Sequence, residues 1–395
     1  MVEARYVGNH VVGAYRAFDY NQVQVRQNGF LADFKRAQKN GFLAESTIGT
    51  FNPNYNANIP GSQPLTIFPK LAGRGSFNDA NVLFYLTTGE PGELATYYQT
   101  HGLTGTFNFF AHPHALAADM LTNYSSSSYN SLQLVARHRT RLGLSLEGNY
   151  TFSKVLSDGD GDLQARFQAF LDFDNPLLER SRANFDLTHM IKADGYYELP
   201  LGKGHRLSFN PVINRVVEGW RVGSTMVWQS GAPFSILSER GTLNREARSY
   251  YNGAVTWLNK SQLDSVVKFQ MTGNGPMIVA PSAVSPADGT GVSVDGPGVP
   301  SFNGQVFYNP GAGTLGTLQR RFFSGPWTFD IDLSLIKAVT ITEHRDLELR
   351  IEAINALNHA TFWSGDQNIN STTFGLAGST FYAPRILQMG LTFRF

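Results

Sequence analysis

The final eleven residues of the chain carry an apolar side chain at every second position. These apolar residues are Leu387, Met389, Leu391, Phe393 and Phe395, and the intervening positions are mostly polar or small. A period of two predicts a β-strand with one apolar and one polar face. About ten residues also suffice for a tilted strand to cross a bilayer. Because the termini of soluble domains are usually polar and loose, this segment is typical of a transmembrane strand.

Composition is compatible with strands of this kind. Charged residues make up 16% of the 395 residues, whereas about 25% is typical of a soluble domain. The 32 basic and 31 acidic residues nearly balance, so nothing points to nucleic acid as a partner. The absence of cysteine excludes disulfides and thiolate metal sites within this chain. No run approaches the ~18 apolar residues of a membrane helix.

The same alternation recurs along the whole chain. We predict strands at 2–8, 11–20, 128–139, 141–153, 184–199, 219–230, 327–337, 346–354 and 385–395. A helix would place Leu347, Leu349 and Ile351 on different faces, so helix fits these segments poorly. Residues 30–40 differ, because Phe30, Phe34 and Ala37 have helical spacing and predict a short helix there. The fold class is therefore all-β, with about nine antiparallel strands.

The predicted connections alternate between short and long. Short connections lie at 8–10, 139–141 and 338–344, and long ones at 21–127, 154–183, 231–326 and 355–384. The connection at 200–218 is intermediate and fits the alternation least well. Transmembrane barrels have short periplasmic turns and long extracellular loops, whereas a soluble sandwich has no reason to place all its long loops at one end. We therefore predict a partial transmembrane β-barrel of the Gram-negative outer membrane, with its C-terminus on the periplasmic side.

The first residues already alternate, and no signal peptide precedes them. By this count the first and last strands run in the same direction, which gives an odd number of strands. Bacterial single-chain barrels have an even number, so we expect the chain to be part of a longer protein. Trp220 and Trp228 share one face of a strand and could lie in the two aromatic girdles of a barrel. The alternative is that both are core residues of a soluble β protein.

Several motifs follow one another in the order of a known family. They are Arg5-Tyr6-Val7-Gly8-Asn9, Phe18-Asp19-Tyr20-Asn21-Gln22-Val23, Asn28-Gly29-Phe30-Leu31, Asn149-Tyr150-Thr151-Phe152-Ser153-Lys154, Tyr197-Glu198-Leu199-Pro200-Leu201-Gly202-Lys203-Gly204, Gly219-Trp220, Gln229-Ser230-Gly231-Ala232-Pro233-Phe234, Phe329-Asp330-Ile331-Asp332-Leu333-Ser334-Leu335 and Asn355-Ala356-Leu357-Asn358-His359-Ala360-Thr361-Phe362. Together they span nearly the whole chain. In this order they resemble the barrel of Oar-like TonB-dependent outer-membrane receptors, which are common in Acidobacteria and their relatives.

The resemblance implies a barrel of about 22 strands whose lumen is closed by an N-terminal plug. In that family a segment of the plug is pulled by the TonB complex. Neither plug nor signal peptide is present in this sequence, so the resemblance implies that residues 1–395 are the C-terminal part of a receptor barrel. It also implies that Leu391, Phe393 and Phe395 belong to the signal read by the barrel-assembly machinery.

Two groups of residues are candidates for binding. Asp158, Asp160 and Asp162 resemble the start of a calcium loop, but the twelfth position of that loop requires Glu and is Ala169 here. An acidic extracellular loop is the alternative. Six charged residues on three neighbouring strands are predicted to face the lumen: Asp330, Asp332, Glu348, Arg350, Glu352 and Arg394. Wet lumen walls and cross-strand charge pairs explain these six, and contact with a plug or substrate is the alternative.

The leading hypothesis is energy-coupled uptake of a large nutrient, such as a glycan fragment or a metal chelate, by the intact receptor. Its partners would be outer-membrane lipid, the barrel-assembly machinery and the TonB complex, the last through a plug that is not in this chain. The alternative is a structural or adhesive surface protein. No residues have the types and spacing of a catalytic site, so neither an enzyme nor a cofactor is expected.

The genomic DNA upstream of the Met1 codon tests the expectation of a longer protein. We expect an in-frame signal peptide, a plug and further strands within about two kilobases, the coding length that a plug and a dozen strands of ~10 residues with their loops need. A stop codon followed by unrelated sequence would contradict this expectation.

Overall fold

A computed structural model describes residues 1–159, 170–202, 207–243, 252–293, 299–342 and 345–395. Its strands are β1 (Val2–Asp19), β2 (Asp119–Arg139), β3 (Leu144–Ser157), β4 (Ser181–Arg182), β5 (His189–Glu198), β6 (Trp220–Gln229), β7 (Pro233–Phe234), β8 (Gln270–Thr272), β9 (Gly275–Met277), β10 (Phe323–Ser324), β11 (Thr328–Thr342), β12 (Arg345–Ile354) and β13 (Ile386–Arg394). Its helices are α1 (Phe30–Ile48), α2 (Ala80–Thr88), α3 (Pro91–Thr100), α4 (Pro211–Val217) and α5 (Lys260–Val266). Short 3₁₀ turns lie at Phe68–Lys70, Ala72–Gly75, Pro176–Glu179 and Pro281–Ala283.

One antiparallel sheet organises the described chain. Its strand order is β1-β2-β3-β5-β6-β11-β12-β13, and the short β4 pairs with β3, which makes nine strands. The long connections 20–118, 158–188, 230–327 and 355–385 all leave the same end of this sheet. We call their described residues the cap, and the two ends of the sheet the cap end and the turn end. The predicted antiparallel sheet with all long loops at one end is thereby confirmed. The described chain is mostly β rather than all-β, because its connections contain helices; closure into a barrel and a count of 22 strands remain predictions.

The register of the sheet lines up the apolar residues of neighbouring strands. Ile351 lies opposite Met389 on one side and Leu335 on the other, and Leu335 lies opposite Val222. The same alignment continues to the far edge, where Leu134 lies between Ala4 and Tyr150. Because residues directly opposite one another share a face, one apolar and one polar face extend across all eight long strands.

The prediction of two strands at 2–8 and 11–20 is wrong, because both segments belong to the single strand β1. Gly8 and Asn9 suggested a turn, yet they pair in register with Asn130 and Tyr129. The Tyr6 ring covers the space beside Gly8, and its hydroxyl donates to Asn130 at 2.6 Å. An aromatic ring over a strand glycine replaces the packing that the glycine lacks. The pairing of β1 with β2 is irregular instead between Val12 and Arg16, where the register shifts twice.

One further boundary differs from the predictions, and the continuity of β1 changes the strand count. Strand β2 begins at Asp119 rather than at residue 128, because Asp119 pairs with Asp19 and the run Ser125–Ser128 also pairs with β1, although it lacks apolar alternation. Ser127 and Ser128 pair with β3 as well. With β1 continuous, the long strands number eight, so the first and last run in opposite directions. The parity argument for an odd number of strands therefore fails, while the total of nine is reached only through β4.

A first hydrophobic core lies in the cap, within the connection 20–118. The predicted helix at 30–40 is confirmed and extends to Ile48 as α1. Its Phe30 packs edge-to-face against Phe109, with ring centroids 4.7 Å apart. Helices α2 and α3 complete this core, which also contains Leu243 from the connection 230–327. The connection 20–118 is therefore a folded unit with its own core rather than a simple loop.

A second core joins the connections 230–327 and 355–385. Its fully buried members include Ile236, Ile278, Phe307, Ile369 and Phe374. Leu237 N–H donates to the Gln367 carbonyl, and Ile369 N–H donates to the Leu237 carbonyl, both at 2.8 Å. These two bonds form an isolated parallel β-bridge between the two connections. The cap therefore has cores of its own at one end of the sheet.

Asp33 is a buried polar centre of the first core. Its carboxylate accepts the backbone N–H groups of Thr66, Ile67 and Phe68 at 2.7–3.1 Å, together with the Thr66 hydroxyl. Arg36 lies 3.4 Å away on the next turn of α1. One carboxylate thus attaches the segment after residue 65 to helix α1, and it leaves these buried donors paired, as burial requires.

Replacing Asp33 with alanine is expected to release this segment. The substitution leaves buried donors without an acceptor, at a cost of about 1–3 kcal/mol for each unsatisfied group. Thermolysin cleavage of the folded protein between residues 49 and 70 should therefore accelerate. Glu45→Ala, at an exposed position of the same helix, is the control and should cleave at the original rate. Equal rates for both variants would contradict the assigned role of Asp33.

Candidate functional site: the polar face and the cap

Four of the six predicted lumen-facing charges meet on the polar face of β12 and β13. Arg350 lies 3.5 Å from Glu348 and 3.5 Å from Glu352, and Arg394 lies 3.8 Å from Glu348. Gln388 also donates to Glu352. The Arg350 side chain is 51% exposed, so these pairs stabilise the fold by at most about 1 kcal/mol each. Their arrangement forms a wet charged wall instead of a buried core.

The remaining two predicted charges lie on the same face of β11, near the cap end. Asp332 accepts the Asn355 N–H at 2.9 Å and so anchors the start of the connection 355–385. Asp330, two residues earlier, lies near Tyr382 in that connection. The pKa of the Tyr382 hydroxyl is raised, mainly because the group is partly buried and secondly because of the negative charge of Asp330. Asp332 therefore joins the sheet to the cap, while the four charges on β12 and β13 form the wall.

The charged wall continues over neighbouring strands whose charged residues were not among the six predicted from the sequence. Arg221 on β6 lies 2.9 Å from Glu198 on β5, and Arg137 on β2 lies 2.8 Å from Glu147 on β3. The alternation that identified the first six charges also applies to these strands, so it could have found them. A hollow of about 450 Å³ opens on this face, lined by Asp194, Tyr196, Arg221, Thr225, Asp332 and Glu352 among others.

Aromatic side chains collect at the cap end of the apolar face. Trp228 and Trp327 have ring centroids 5.3 Å apart, and Trp327 stacks on His189 at 5.8 Å. His189 also contacts Phe152 at 5.2 Å and Tyr150 through a 2.9 Å hydrogen bond. Both tryptophans are nearly half exposed. Such amphipathic rings favour the boundary between lipid and water.

Comparison with known families shows to which class of β protein the sheet belongs. A family model described as an outer membrane beta barrel domain matches residues 1–388. The chain belongs to this family. No curated protein matches it. Within the described residues, none of the helices has both the length and the apolar character needed to span a bilayer.

Membership of the outer-membrane barrel family identifies the environments of the two faces. In such barrels the outward face is apolar and meets lipid, whereas the inward face is polar. The charged wall has the polar character of a lumen side, and the band from Val2 to Phe393 has the apolar character of a lipid side. That the six charges line a lumen remains a prediction. Trp228 lies at the cap end of this band, and Trp220 lies at the turn end of the same strand. This placement fits the two predicted girdles, which remain a prediction.

The calcium candidates are only partly within the described chain. Asp158 is described, and both its carboxylate oxygens accept from Ser126, from the N–H at 2.8 Å and from the hydroxyl at 3.2 Å. Asp160 and Asp162 lie outside the described residues. Among the residues that are described, no group of three or more acidic or histidine side chains could hold a metal ion. Asp158 thus closes the end of β3 against β2.

The candidate assembly signal lies on an open edge of the barrel sheet. Leu391 and Phe393 are on the apolar face of β13, where they are 69% and 49% exposed. Phe395 follows the strand, and its ring lies 5.9 Å from that of Phe393. All three are accessible for contact with another protein, and their role as an assembly signal remains a prediction.

A buried ion cluster joins the sheet to two connections of the cap. The Glu179 carboxylate accepts from Arg320 at 2.7 Å, from Arg16 on β1 at 3.3 Å, and from the Leu171 N–H at 2.6 Å. The three charged side chains are at most 5% exposed. Arg16 also lies over the Phe170 ring at 4.4 Å. Sequence patterns could not reveal this cluster, because its members are more than 130 residues apart.

Glu179→Gln is expected to destabilise the attachment of the cap to the sheet by about 3–5 kcal/mol, because it leaves two buried guanidinium groups without their carboxylate. Asp264→Asn, which breaks the exposed Lys260–Asp264 pair, is the control and should cost at most about 1 kcal/mol. Urea unfolding of both variants in detergent, followed by proteolysis of the cap, measures the difference. Equal midpoints for the two variants would overturn this account of the cluster.

Proposed function

We propose that this chain is the barrel portion of an Oar-like TonB-dependent receptor, and that the intact receptor imports a large nutrient. The chemical class would be a glycan fragment or a metal chelate. Energy would come from the cytoplasmic-membrane proton gradient and reach a plug domain through the TonB complex. The ordered motifs from Arg5 to Phe362 support this proposal by their resemblance to that family.

The observation that carries the proposal is the charged lumen wall, which reaches both edges of the sheet. On β1 the pair Glu3 and Arg5 lies 2.7 Å apart, and on β13 Arg394 contacts Glu348. An eight-stranded barrel is only wide enough to be filled by its own side chains. Strands β1 and β13 are at the edges of the described sheet, so further strands could pair there and give a lumen wide enough for a plug.

The cap supports capture of a ligand before it enters the lumen. Long extracellular loops of outer-membrane barrels stand above the pore, and binding residues are commonly carried by loops on a rigid scaffold. Here the connections have two cores and are joined to one another, for example by Arg240, which donates to the Thr88 carbonyl at 2.6 Å and to Asn370 at 3.1 Å. A cap of this rigidity would present a fixed surface to a nutrient.

A structural or adhesive surface protein is the second candidate function. The observation that favours it is the exposure of large aromatic residues on the cap, including Trp257 at 74% and Phe84 at 57%. Exposed aromatic side chains are frequent anchors at protein interfaces. An adhesive protein would need neither the proton gradient nor TonB.

Uptake measurements distinguish the two functions. Wild-type cells, cells lacking this gene and cells lacking TonB are grown with a mixture of ferric chelates and oligosaccharides, and depletion of each compound is followed. If the protein is a transporter, one class of compound should be depleted more slowly by both deletion strains than by wild-type cells. Normal depletion in the gene-deletion strain together with lost surface attachment would overturn transport and favour adhesion.

Reversing one charge in the lumen wall tests the role of that wall. Arg350→Glu places a third acidic group between Glu348 and Glu352, so like charges repel along the lumen. We expect slower uptake at an unchanged amount of protein in the outer membrane. Arg345→Glu, at the turn end of the same strand, is the control and should leave uptake unchanged. Equal uptake by both variants would contradict a functional lumen wall.

A further inference from the structure

The connection 199–219 at the turn end is longer than its two neighbours and contains helix α4. The other described strands at this end are joined across 140–143 and between Thr342 and Arg345. Helix α4 begins after Asn210, whose side chain accepts the Ile213 N–H at 2.9 Å, and Pro211 occupies its first turn. Both features are favourable at a helix start. The connection that fitted the turn pattern least well therefore contains a capped helix within its described residues 207–219.

Helix α4 exposes apolar side chains and buries a polar one, which is the reverse of a helix on the surface of a soluble protein. Val212 is 76% exposed and Val216, one turn later, is 64% exposed. Phe209 and Leu207, just before the helix, are about half exposed. The polar Asn214, by contrast, is buried and bonds to both the N–H and the carbonyl of Phe209. Apolar groups outside and polar groups inside are the arrangement that a lipid environment favours.

Two residues of the sheet hold α4 beside the apolar face. Trp220 donates its indole N–H to the Val216 carbonyl at 2.8 Å. Lys337 donates to the Arg215 carbonyl at 2.9 Å and to the Glu218 carbonyl, and its amine lies 5.6 Å from the Trp220 ring. Lys337 is opposite Trp220 in one pair and opposite Leu349 in the other, so both holding residues belong to the lipid-facing side. The exposed residues of α4 therefore continue the apolar band.

We propose that α4 is a membrane-interface anchor, which lies in the leaflet on the turn side of the barrel. The residues from Leu207 to Val216 insert their apolar side chains at the boundary between headgroups and acyl chains. Arg215, which is exposed on the same helix, reaches the lipid phosphates, as long basic side chains do at interfaces. Trp220 lies at the level where indole rings favour the interface. This anchor depends on membership of the outer-membrane barrel family and not on the transport proposal.

The chain contains no cysteine, so single cysteines can carry nitroxide spin labels without a background. Labels are placed at Val212, Val216, Leu333 and Ser46 of the full chain in vesicles of phosphatidylethanolamine and phosphatidylglycerol. Leu333 is the reference within the lipid-facing band, and Ser46, exposed on α1, is the reference in water. Collision rates with oxygen, which concentrates in lipid, and with a water-soluble nickel chelate are measured at each site.

The proposal predicts that Val212 and Val216 have oxygen-to-nickel collision ratios between those of Leu333 and Ser46. Ratios equal to that of Ser46 would overturn it, because α4 would then lie in water. Low collision rates with both oxygen and nickel would overturn it equally, because a second protein rather than lipid would then cover the helix. A high oxygen-to-nickel ratio in the Leu333 variant verifies that the sheet folds and inserts under these conditions.

Discussion

The alternation of two faces on one hydrogen-bonded sheet is the constraint on which the rest of this molecule depends. In lipid every backbone donor and acceptor must find a partner within the protein. The six inner long strands meet this requirement through ladders on both sides, whereas β1 and β13 are each paired on one side in the described sheet. The register places the apolar side chains on the face that suits lipid and the charged side chains on the face that suits water. A shift of one residue in any pairing would exchange these two environments, so the observed register is tightly specified.

The cap is under a different constraint from the sheet. Its long connections lie beyond the ends of the strands and fold around cores of their own. Its two cores bury aromatic and aliphatic residues as in a soluble domain. Single buried carboxylates then join segments that are distant in sequence, as Asp33 joins helix α1 to residues 66–68 and Glu179 joins β1 to two connections. These contacts fix the cap to one end of the strands. This rigidity makes selective capture of a ligand physically reasonable.

The strands were largely predictable from the sequence because face alternation is a local signal. The exceptions have local physical causes as well: the Tyr6 ring compensates for Gly8, and the serine run before Tyr129 pairs without apolar residues. The four wall charges on β12 and β13 were predictable for the same reason. The cores of the cap and the Glu179 cluster were not, because they depend on contacts between residues far apart in the chain. Helix α4 was missed because its outward apolar residues follow neither the strand period nor the usual inward pattern.

A cysteine scan of β12 from Leu347 to Ala353 measures the central alternation most directly. Each single-cysteine variant is treated in intact outer membranes with a membrane-impermeant, water-soluble maleimide after the outer-membrane barrier is opened with a mild permeabiliser. The account predicts that positions 348, 350 and 352 react, while 347, 349, 351 and 353 remain protected by lipid. Uniform reaction along the strand, or protection of the even-numbered positions instead, would contradict it.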